Sequence, residues 1–166
     1  MIFLYYGSIK KLDCANGKGI RTTLFVSGCT HKCEGCFNEA SQDFRYGKEW
    51  TKEVEDKFIG YAKSPKVTGV SILGGEPLQQ GEVMLNLVRR LREEVDKPIW
   101  MWTGYTWDEI QVNLLRRKIV EQVDVLIDGR FELDKRDLNL KYKVSSNQRV
   151  IDVRKSLENK EVFILL

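Results

Sequence analysis

RTTLFVSG, residues 21–28, is a stretch rich in β-branched and apolar residues that ends at a glycine. A stretch of this composition is typical of a buried strand. Three later runs predict strands of the same kind: VTGVSIL (67–73), PIWMW (98–102) and VDVLI (123–127). Shorter runs predict further strands nearer the two ends of the sequence: IFLYY (2–6), RVIDV (149–153) and VFILL (162–166).

Segments with the period of a helix alternate with these strands. The clearest is GEVMLNLVRRLREEV (81–95), whose apolar residues form one stripe while its arginines and glutamates face water. TKEVEDKFIGYAK (51–63) predicts a second helix, and Thr106 with Glu109 forms a capping box that opens a third helix through about Ile119. The charged stretch GRFELDKRDLNLKYK (129–143) is expected to be a loop.

Repeated β–α units predict a parallel sheet with helices outside it and right-handed crossovers. About five or six units fit into 166 residues, whereas a closed eight-unit barrel needs roughly 250 residues. We therefore expect an α/β fold, an incomplete barrel of about five to six parallel strands that is open along one side. The length favours a single domain over residues 1–166.

The composition is that of an ordinary soluble globular protein, with 42% hydrophobic and 31% charged residues. The net charge of +3 is too small to argue for a nucleic-acid partner. No apolar run approaches the roughly 18 residues of a membrane span. In MIFLYYGSIKK the apolar residues precede the lysines, the reverse of a signal peptide, so we expect a cytoplasmic protein with no membrane partner.

Motifs suited to chemistry follow each of the four main predicted strands. They are Cys29, Gly74-Gly75-Glu76, Thr103-Gly104-Tyr105 and Asp128-Gly129-Arg130, in chain order. In parallel α/β folds the functional site lies at the carboxyl ends of the strands. The sequence therefore predicts that these motifs meet at one edge of the sheet.

Three cysteines, Cys29, Cys33 and Cys36, have the spacing C-x3-C-x2-C. Thiolates suit an iron–sulfur cluster or zinc, and in a reducing compartment such a group favours a metal site over disulfides. Three ligands leave one iron of a [4Fe-4S] cluster open to substrate, whereas an electron-carrying cluster usually has four cysteines. The alternative is structural zinc with Cys14 or His31 as fourth ligand, but the second ligand pair typical of zinc is missing. We expect neither Cys14 nor His31 to be a ligand.

With Phe37 directly after the last cysteine, this motif resembles that of the radical-SAM superfamily. The resemblance extends over nearly the whole chain to the family of activating proteins of anaerobic ribonucleoside-triphosphate reductase. It is carried by NGKGIRTTLFVSGCTHKCEGCFN, SILGGEPL, IWMWTGYTWDEI, VDVLIDGRF and SSNQRVID. WTGY and SSNQ are the segments that favour this family over radical-SAM enzymes in general.

The resemblance implies a [4Fe-4S] cluster on Cys29, Cys33 and Cys36 that cleaves S-adenosylmethionine (SAM) reductively to methionine and a 5′-deoxyadenosyl radical. It further implies that this radical takes hydrogen from the C-terminal glycine loop of the reductase, with electrons from a low-potential donor such as flavodoxin or ferredoxin. The alternatives are an activase of another glycyl-radical enzyme, such as pyruvate formate-lyase, a small-molecule radical-SAM enzyme, and a metal-binding module without enzymatic activity.

The same resemblance implies a set of SAM contacts. Gly74, Gly75 and Glu76 would meet the amino group, with Gly75 the best single candidate. The backbone of Gly35, Cys36 and Phe37 would lie beside the adenine, and the aromatic ring of Phe37 would pack against it. Thr103 and Asp128 would bind the ribose or the carboxylate, and Arg130 would also contact SAM, although an aspartate before glycine is equally typical of a plain turn.

Overall fold

In the computed structural model, which describes residues 3–166, seven strands join in one open, mixed sheet. The strands are β1 (Tyr5–Asp13), β2 (Arg21–Val26), β3 (Lys48–Glu49), β4 (Gly69–Gly74), β5 (Ile99–Trp102), β6 (Val125–Asp128) and β7 (Arg149–Asp152). Their order across the sheet is β3-β1-β2-β4-β5-β6-β7. The four central strands, β2, β4, β5 and β6, are parallel, and the flanking pairs are antiparallel.

Five α-helices are formed within the described residues. They are α1 (Lys52–Ala62), α2 (Glu82–Glu94), α3 (Trp107–Gln111), α4 (Leu114–Val120) and α5 (Val153–Asn159). The capping box of Thr106 and Glu109 is present at the start of α3, as predicted. The single helix predicted from Thr106 to about Ile119 is wrong, because Asn113 has an extended backbone and its side chain caps the amide of Arg116, which starts α4 anew.

The prediction of about five to six parallel strands is also wrong, since four strands of the described chain run parallel. A parallel pair needs a crossover that returns the chain to the other end of the sheet, usually through a helix. The connection from β6 to β7 contains a 3-10 turn at Leu133–Lys135 and an isolated bridge between Arg136 and Ser145 but no α-helix, so β7 starts at the end where β6 stops and runs antiparallel. The connection from β1 to β2, residues 14–20, also contains no helix, and this pair is antiparallel.

The predicted terminal strands have different outcomes. The strand expected at IFLYY overlaps β1 only at Tyr5 and Tyr6, because β1 begins at Tyr5 and continues to Asp13; Phe3 and Leu4 precede the strand, and Ile2 lies outside the described residues. The strand expected at 162–166 is wrong: this segment forms only an isolated bridge, between Ile164 and Ile151 of β7.

The two faces of the sheet are packed differently. On the outer face, buried strand residues such as Leu24, Ile72 and Met101 pack with apolar residues of the helices, including Phe58 and Leu87, in the main core. On the opposite face, which the helices do not cover, a smaller cluster is formed. Its buried residues Trp100, Ile127 and Val150 pack with the partly buried Trp102, Val125 and Tyr142. Trp100 and Trp102 therefore share one face, as the alternation of side chains along a strand predicts.

A buried arginine joins the amino ends of three parallel strands. The guanidinium of Arg21 in β2 donates to the hydroxyl of Ser71 at 2.7 Å, to the carbonyl of Val70 at 2.9 Å and to that of Pro98 at 2.8 Å. Burial lowers its pKa to about 10. These bonds hold β2, β4 and the start of β5 in register, so that their carboxyl ends come together at the opposite edge. Across residues 3–166, no helix is long and apolar enough to span a membrane.

Candidate functional site

A cavity of about 390 Å³ lies at the carboxyl edge of the parallel strands. It is lined on one side by the cysteine loop, on a second side by the ends of β4 and β5, and on a third by residues of the 129–148 segment. Eight of the residues predicted from the sequence line it: Cys29, Cys33, Cys36, Phe37, Gly74, Gly75, Glu76 and Thr103. Gly104 and Gly129 line it too, and the Gly129 N–H donates to the carbonyl of Tyr105 at 3.1 Å, so motifs from all four predicted strand ends meet at this edge.

The cysteine loop is held in place by backbone hydrogen bonds. Gly28, at φ +106°, turns the chain out of β2, and its N–H donates to the carbonyl of Ser41 at 2.7 Å. The next amide, of Cys29, donates to the carbonyl of Gln42 at 3.1 Å, and the amide of Cys36 donates to the carbonyl of Cys33 at 3.1 Å. The loop therefore curls back on itself, with its three cysteines free and partly buried.

Burial favours the protonated form of the Cys29 and Cys33 thiols. Burial, with further contributions from Glu76 and the neighbouring cysteines, raises the pKa of Cys29 to about 11, and burial also raises the pKa of Cys33. Iron supplies the positive charge that deprotonates a coordinating thiol. The three thiols fit a [4Fe-4S] cluster in donor type and in their common place on one cavity.

The other two candidate ligands are placed differently. Cys14 is exposed and does not line the cavity, although its neighbours Ala15 and Asn16 do. His31 lines the cavity, but its Nε2 is hydrogen-bonded to Glu76. In the described part of the chain, no group of three or more His, Cys, Asp or Glu side chains is arranged to hold a single metal ion.

The Glu76 carboxylate is fully buried and surrounded by donors from its own chain. Its Oε1 lies 2.7 Å from Nε2 of His31 and accepts from the Gly104 N–H at 2.7 Å. Its Oε2 accepts from the Leu78 N–H at 2.9 Å and from the hydroxyl of Thr103 at 2.9 Å. The carboxylate that was predicted to meet the SAM amino group is therefore already well supplied with hydrogen-bond donors.

Close backbone packing within the protein explains why residue 75 is a glycine. Its N–H donates to the carbonyl of Val26 at 2.7 Å, which continues the pairing of β4 with β2. A Cβ on Gly75 would lie 2.6 Å from the carbonyl oxygen of Gly28 and 2.9 Å from that of Ser41. The glycine thus permits the backbone before Cys29 to approach the end of β4 closely.

Comparison with known proteins agrees with this site. A family model described as "4Fe-4S single cluster domain" matches residues 15–151. The anaerobic ribonucleoside-triphosphate reductase-activating protein of Pasteurella multocida is 43% identical over 141 residues, 82% of this chain and 89% of that protein. The protein of the same name from Escherichia coli K12 is 40% identical over 90% of this chain and 99% of its own length, and that of phage T4 is 35% identical over 87% and 92%.

The chain belongs to this family of activating proteins. The resemblance stated from the sequence motifs is thereby confirmed. The match covers the cysteine loop, the ends of β4 and β5 and the 129–148 segment, so the whole cavity lies within the region shared with the family.

Three of the SAM contacts predicted for this family member lie outside the cavity lining: Gly35, Asp128 and Arg130. The buried Asp128 carboxylate accepts from the Trp107 N–H at 2.8 Å and from Arg149. Arg130 donates to both oxygens of Glu109, at 3.0 and 2.9 Å. The contacts of all three residues with SAM stay predictions, and the side chains of Asp128 and Arg130 already have partners within the protein.

The 129–148 segment supplies the lining residues that sequence reasoning missed. Phe131, Leu138, Leu140, Tyr142 and Gln148 all line the cavity. The Trp102 indole N–H donates to the carbonyl of Tyr142 at 2.8 Å and ties this segment to the end of β5. The segment is charged and has no regular hydrophobic period, so no local pattern predicted that it lines the cavity. SSNQ was the one part of it that the sequence had indicated as specific to the family.

Proposed function

We propose that the chain is an iron–sulfur activating enzyme that cleaves SAM reductively and generates a glycyl radical on anaerobic ribonucleoside-triphosphate reductase. The observation that carries the proposal is the common placement of three free cysteines and the Gly74–Gly75 backbone edge on one cavity. Membership in a family whose relatives bear the name of that activity supports it.

Cys29, Cys33 and Cys36 are the proposed cluster ligands. When bound, the [4Fe-4S] cluster supplies an electron and an open iron for SAM. The protein's own part is to bury the thiols and to hold the loop in a fixed curl through Gly28 and its bond to Ser41. A partly enclosed site also limits the access of water to the reacting groups.

The proposed SAM site is the space between the cysteine loop and the end of β4. The backbone at Gly74 and Gly75 lines this space without side chains, while the Phe37 ring forms another wall and packs against Phe131 at 5.1 Å between ring centroids. Backbone carbonyls of this edge are better acceptors for an ammonium group than Glu76, whose oxygens already have several donors. Thr103, which lines the cavity, is retained as a proposed SAM contact, and Gly35, Asp128 and Arg130 are retained by family resemblance alone.

The open sheet suits a macromolecular substrate. A small molecule is better held in a closed pocket, whereas a glycine loop of another protein needs an accessible side. We therefore propose that residues 1–166 form a single domain with an incomplete radical-SAM barrel, and that its cavity admits the C-terminal glycine loop of the reductase. We also propose that the electrons come from a low-potential donor such as flavodoxin or ferredoxin and that the protein is cytoplasmic.

The proposal is tested by anaerobic reconstitution with iron and sulfide, followed by reduction in the presence of SAM. We expect methionine and 5′-deoxyadenosine in equal amounts. The Cys33→Ala variant should form neither, and Cys14→Ala should match the unmodified chain because Cys14 lies outside the cavity. A protein that carries a full complement of iron and sulfide and leaves SAM intact would contradict the proposal.

A further inference from the structure

His31, the single histidine of the chain, lies between the first two cysteines of the loop. Its Nε2 is 2.7 Å from Oε1 of Glu76, and the two side chains are only 6% and 1% exposed. The imidazole also packs edge-on against Tyr105, with 4.6 Å between ring centroids. A Cβ on Gly104 would lie 2.6 Å from the ring, so the glycine there makes room for the histidine.

The Glu76 carboxylate joins three separate segments of the chain. Glu76 itself follows β4, and its amide donates to the Gly28 carbonyl at 2.8 Å. Through Oε1 and Oε2 it also binds Thr103 and Gly104 at the end of β5. His31 is the only side chain of the 29–36 loop among its partners within the described residues. The contact between His31 and Glu76 is therefore a buried side-chain link between the cysteine loop and the two strand ends.

A second, weaker link supports the same junction. The Thr30 N–H donates to Oε1 of Gln79 at 2.9 Å, and the amide of Gln79 donates to the Tyr105 hydroxyl at 2.9 Å. These groups are more exposed than the His31–Glu76 pair. Buried, charge-assisted hydrogen bonds are stronger than exposed neutral ones, so of these two side-chain links the His31–Glu76 contact contributes more to the position of the loop.

We propose that His31 is a positioning residue, which through Glu76 fixes the cysteine loop relative to the Gly74–Gly75 edge. This inference rests on the proposed function, since the distance it sets is that between the cluster ligands and the SAM site. It also assigns Glu76 to the protein scaffold instead of to the SAM ammonium. Removal of the imidazole donor should leave the cysteines able to bind the cluster but should misplace the cluster relative to SAM.

Two substitutions separate the hydrogen bond from the packing. His31→Leu retains apolar bulk against Tyr105 but has no donor for Glu76, whereas His31→Gln retains an N–H donor of similar reach. Lys32→Ala is the matched control, since Lys32 is the exposed neighbour in the same loop and does not line the cavity. Thermal unfolding of each apoprotein checks that the fold is kept.

The measurements are the iron and sulfide content, the EPR spectrum of the reduced cluster with and without SAM, and the dissociation constant for SAM. We expect His31→Leu to retain the cluster, to lose most of the SAM-induced spectral change and to bind SAM about tenfold more weakly. His31→Gln and Lys32→Ala should stay within about twofold of the unmodified chain. Unaltered SAM binding in His31→Leu would overturn the inference.

Cluster and SAM binding by the unmodified chain distinguish a failure of this inference from a failure of the proposed function. If the unmodified chain binds no cluster or no SAM, the proposed function fails; if it binds both and His31→Leu matches it, only the positioning role fails. If His31→Leu does not fold, the result for His31→Gln decides. A SAM-induced spectral change in His31→Gln that matches that of the unmodified chain supports the positioning role, and loss of this spectral change overturns the role.

Discussion

Asp128 and Arg149 face each other across the β6–β7 ladder and form a two-armed ion pair. Arg149 donates from Nε to Oδ1 at 3.0 Å and from Nη2 to Oδ2 at 2.6 Å. The hydrogen bond to Asp128 raises the pKa of Arg149. Since Oδ2 also accepts from the Trp107 N–H, this buried carboxylate holds the antiparallel strand β7 and the start of α3 against β6.

Arg149→Ala should destabilise the apoprotein by about 2 kcal/mol, because it leaves the Asp128 carboxylate buried without its charged partner. The control is Arg154→Ala, which removes an arginine that is 65% exposed and contacts Asp124. Exposed ion pairs of this kind contribute about 0–1 kcal/mol. Urea unfolding of the two variants measures both effects, and equal losses would show that the Asp128–Arg149 pair has no special role.

Gly75→Ala should destabilise the protein and also impair cluster binding. The added Cβ would lie 2.6 Å from the Gly28 carbonyl oxygen, and the backbone that must move leads directly into Cys29. A forced shift of packed backbone costs about 1–3 kcal/mol.

The matched control is Gly60→Ala in α1, where a Cβ has nothing within 4 Å. Alanine is favoured over glycine in a helix by about 1 kcal/mol, so this variant should be slightly more stable. Urea unfolding and iron content measure the outcome for both glycines. A Gly75→Ala protein with unchanged stability and full iron content would contradict the account.

The central elements of the fold could be predicted because their signals are local. The apolar runs that became β2, β4, β5 and β6 and the periodic helix at 81–95 each carry their pattern within a few residues. The direction of β7 could not be predicted in this way, since it depends on whether the 129–148 connection crosses the sheet. The break at Asn113 was missed because asparagine, although a preferred N-cap residue, also occurs inside helices, and its side-chain cap on Arg116 is seen only in the structure.

The candidate site was predictable in part for the same reason. The spacing of the cysteines and the glycines at the end of β4 are sequence patterns, and the structure places them on one cavity. The partners of Glu76 and Asp128 could not be predicted, because His31 and Arg149 are distant in sequence and meet them only through the order of the strands. The sequence thus indicates which residues are near the site, and the structure indicates which of them have free polar atoms.

Cys29→Ala, Cys33→Ala and Cys36→Ala should each lose the cluster after anaerobic reconstitution, because a [4Fe-4S] cluster with an open iron has no spare protein ligand. Iron and acid-labile sulfide measure this directly. Cys14→Ala should retain both, since Cys14 is exposed and outside the cavity. Iron and sulfide near the level of the unmodified chain in any of the three variants would refute that ligand assignment.

Alkylation of the apoprotein should reveal the raised pKa of Cys29. A pKa of about 11, compared with an ordinary value of 9.0, means about a hundredfold less thiolate at pH 8 in the folded chain. The rate at Cys29 should therefore rise with pH up to about 11. The same chain unfolded in denaturant is the control, and mass spectrometry of the labelled peptides gives both rates. Equal rates for folded and unfolded chain at pH 8 would contradict the expected burial effect.

The most direct test of the proposed activity is EPR spectroscopy of the reduced, cluster-loaded protein mixed with SAM and anaerobic ribonucleoside-triphosphate reductase. The account predicts a glycyl-radical doublet on the reductase, absent when Cys36→Ala replaces the unmodified chain. SAM cleavage without that doublet, or a doublet that forms only on another glycyl-radical enzyme such as pyruvate formate-lyase, would contradict it.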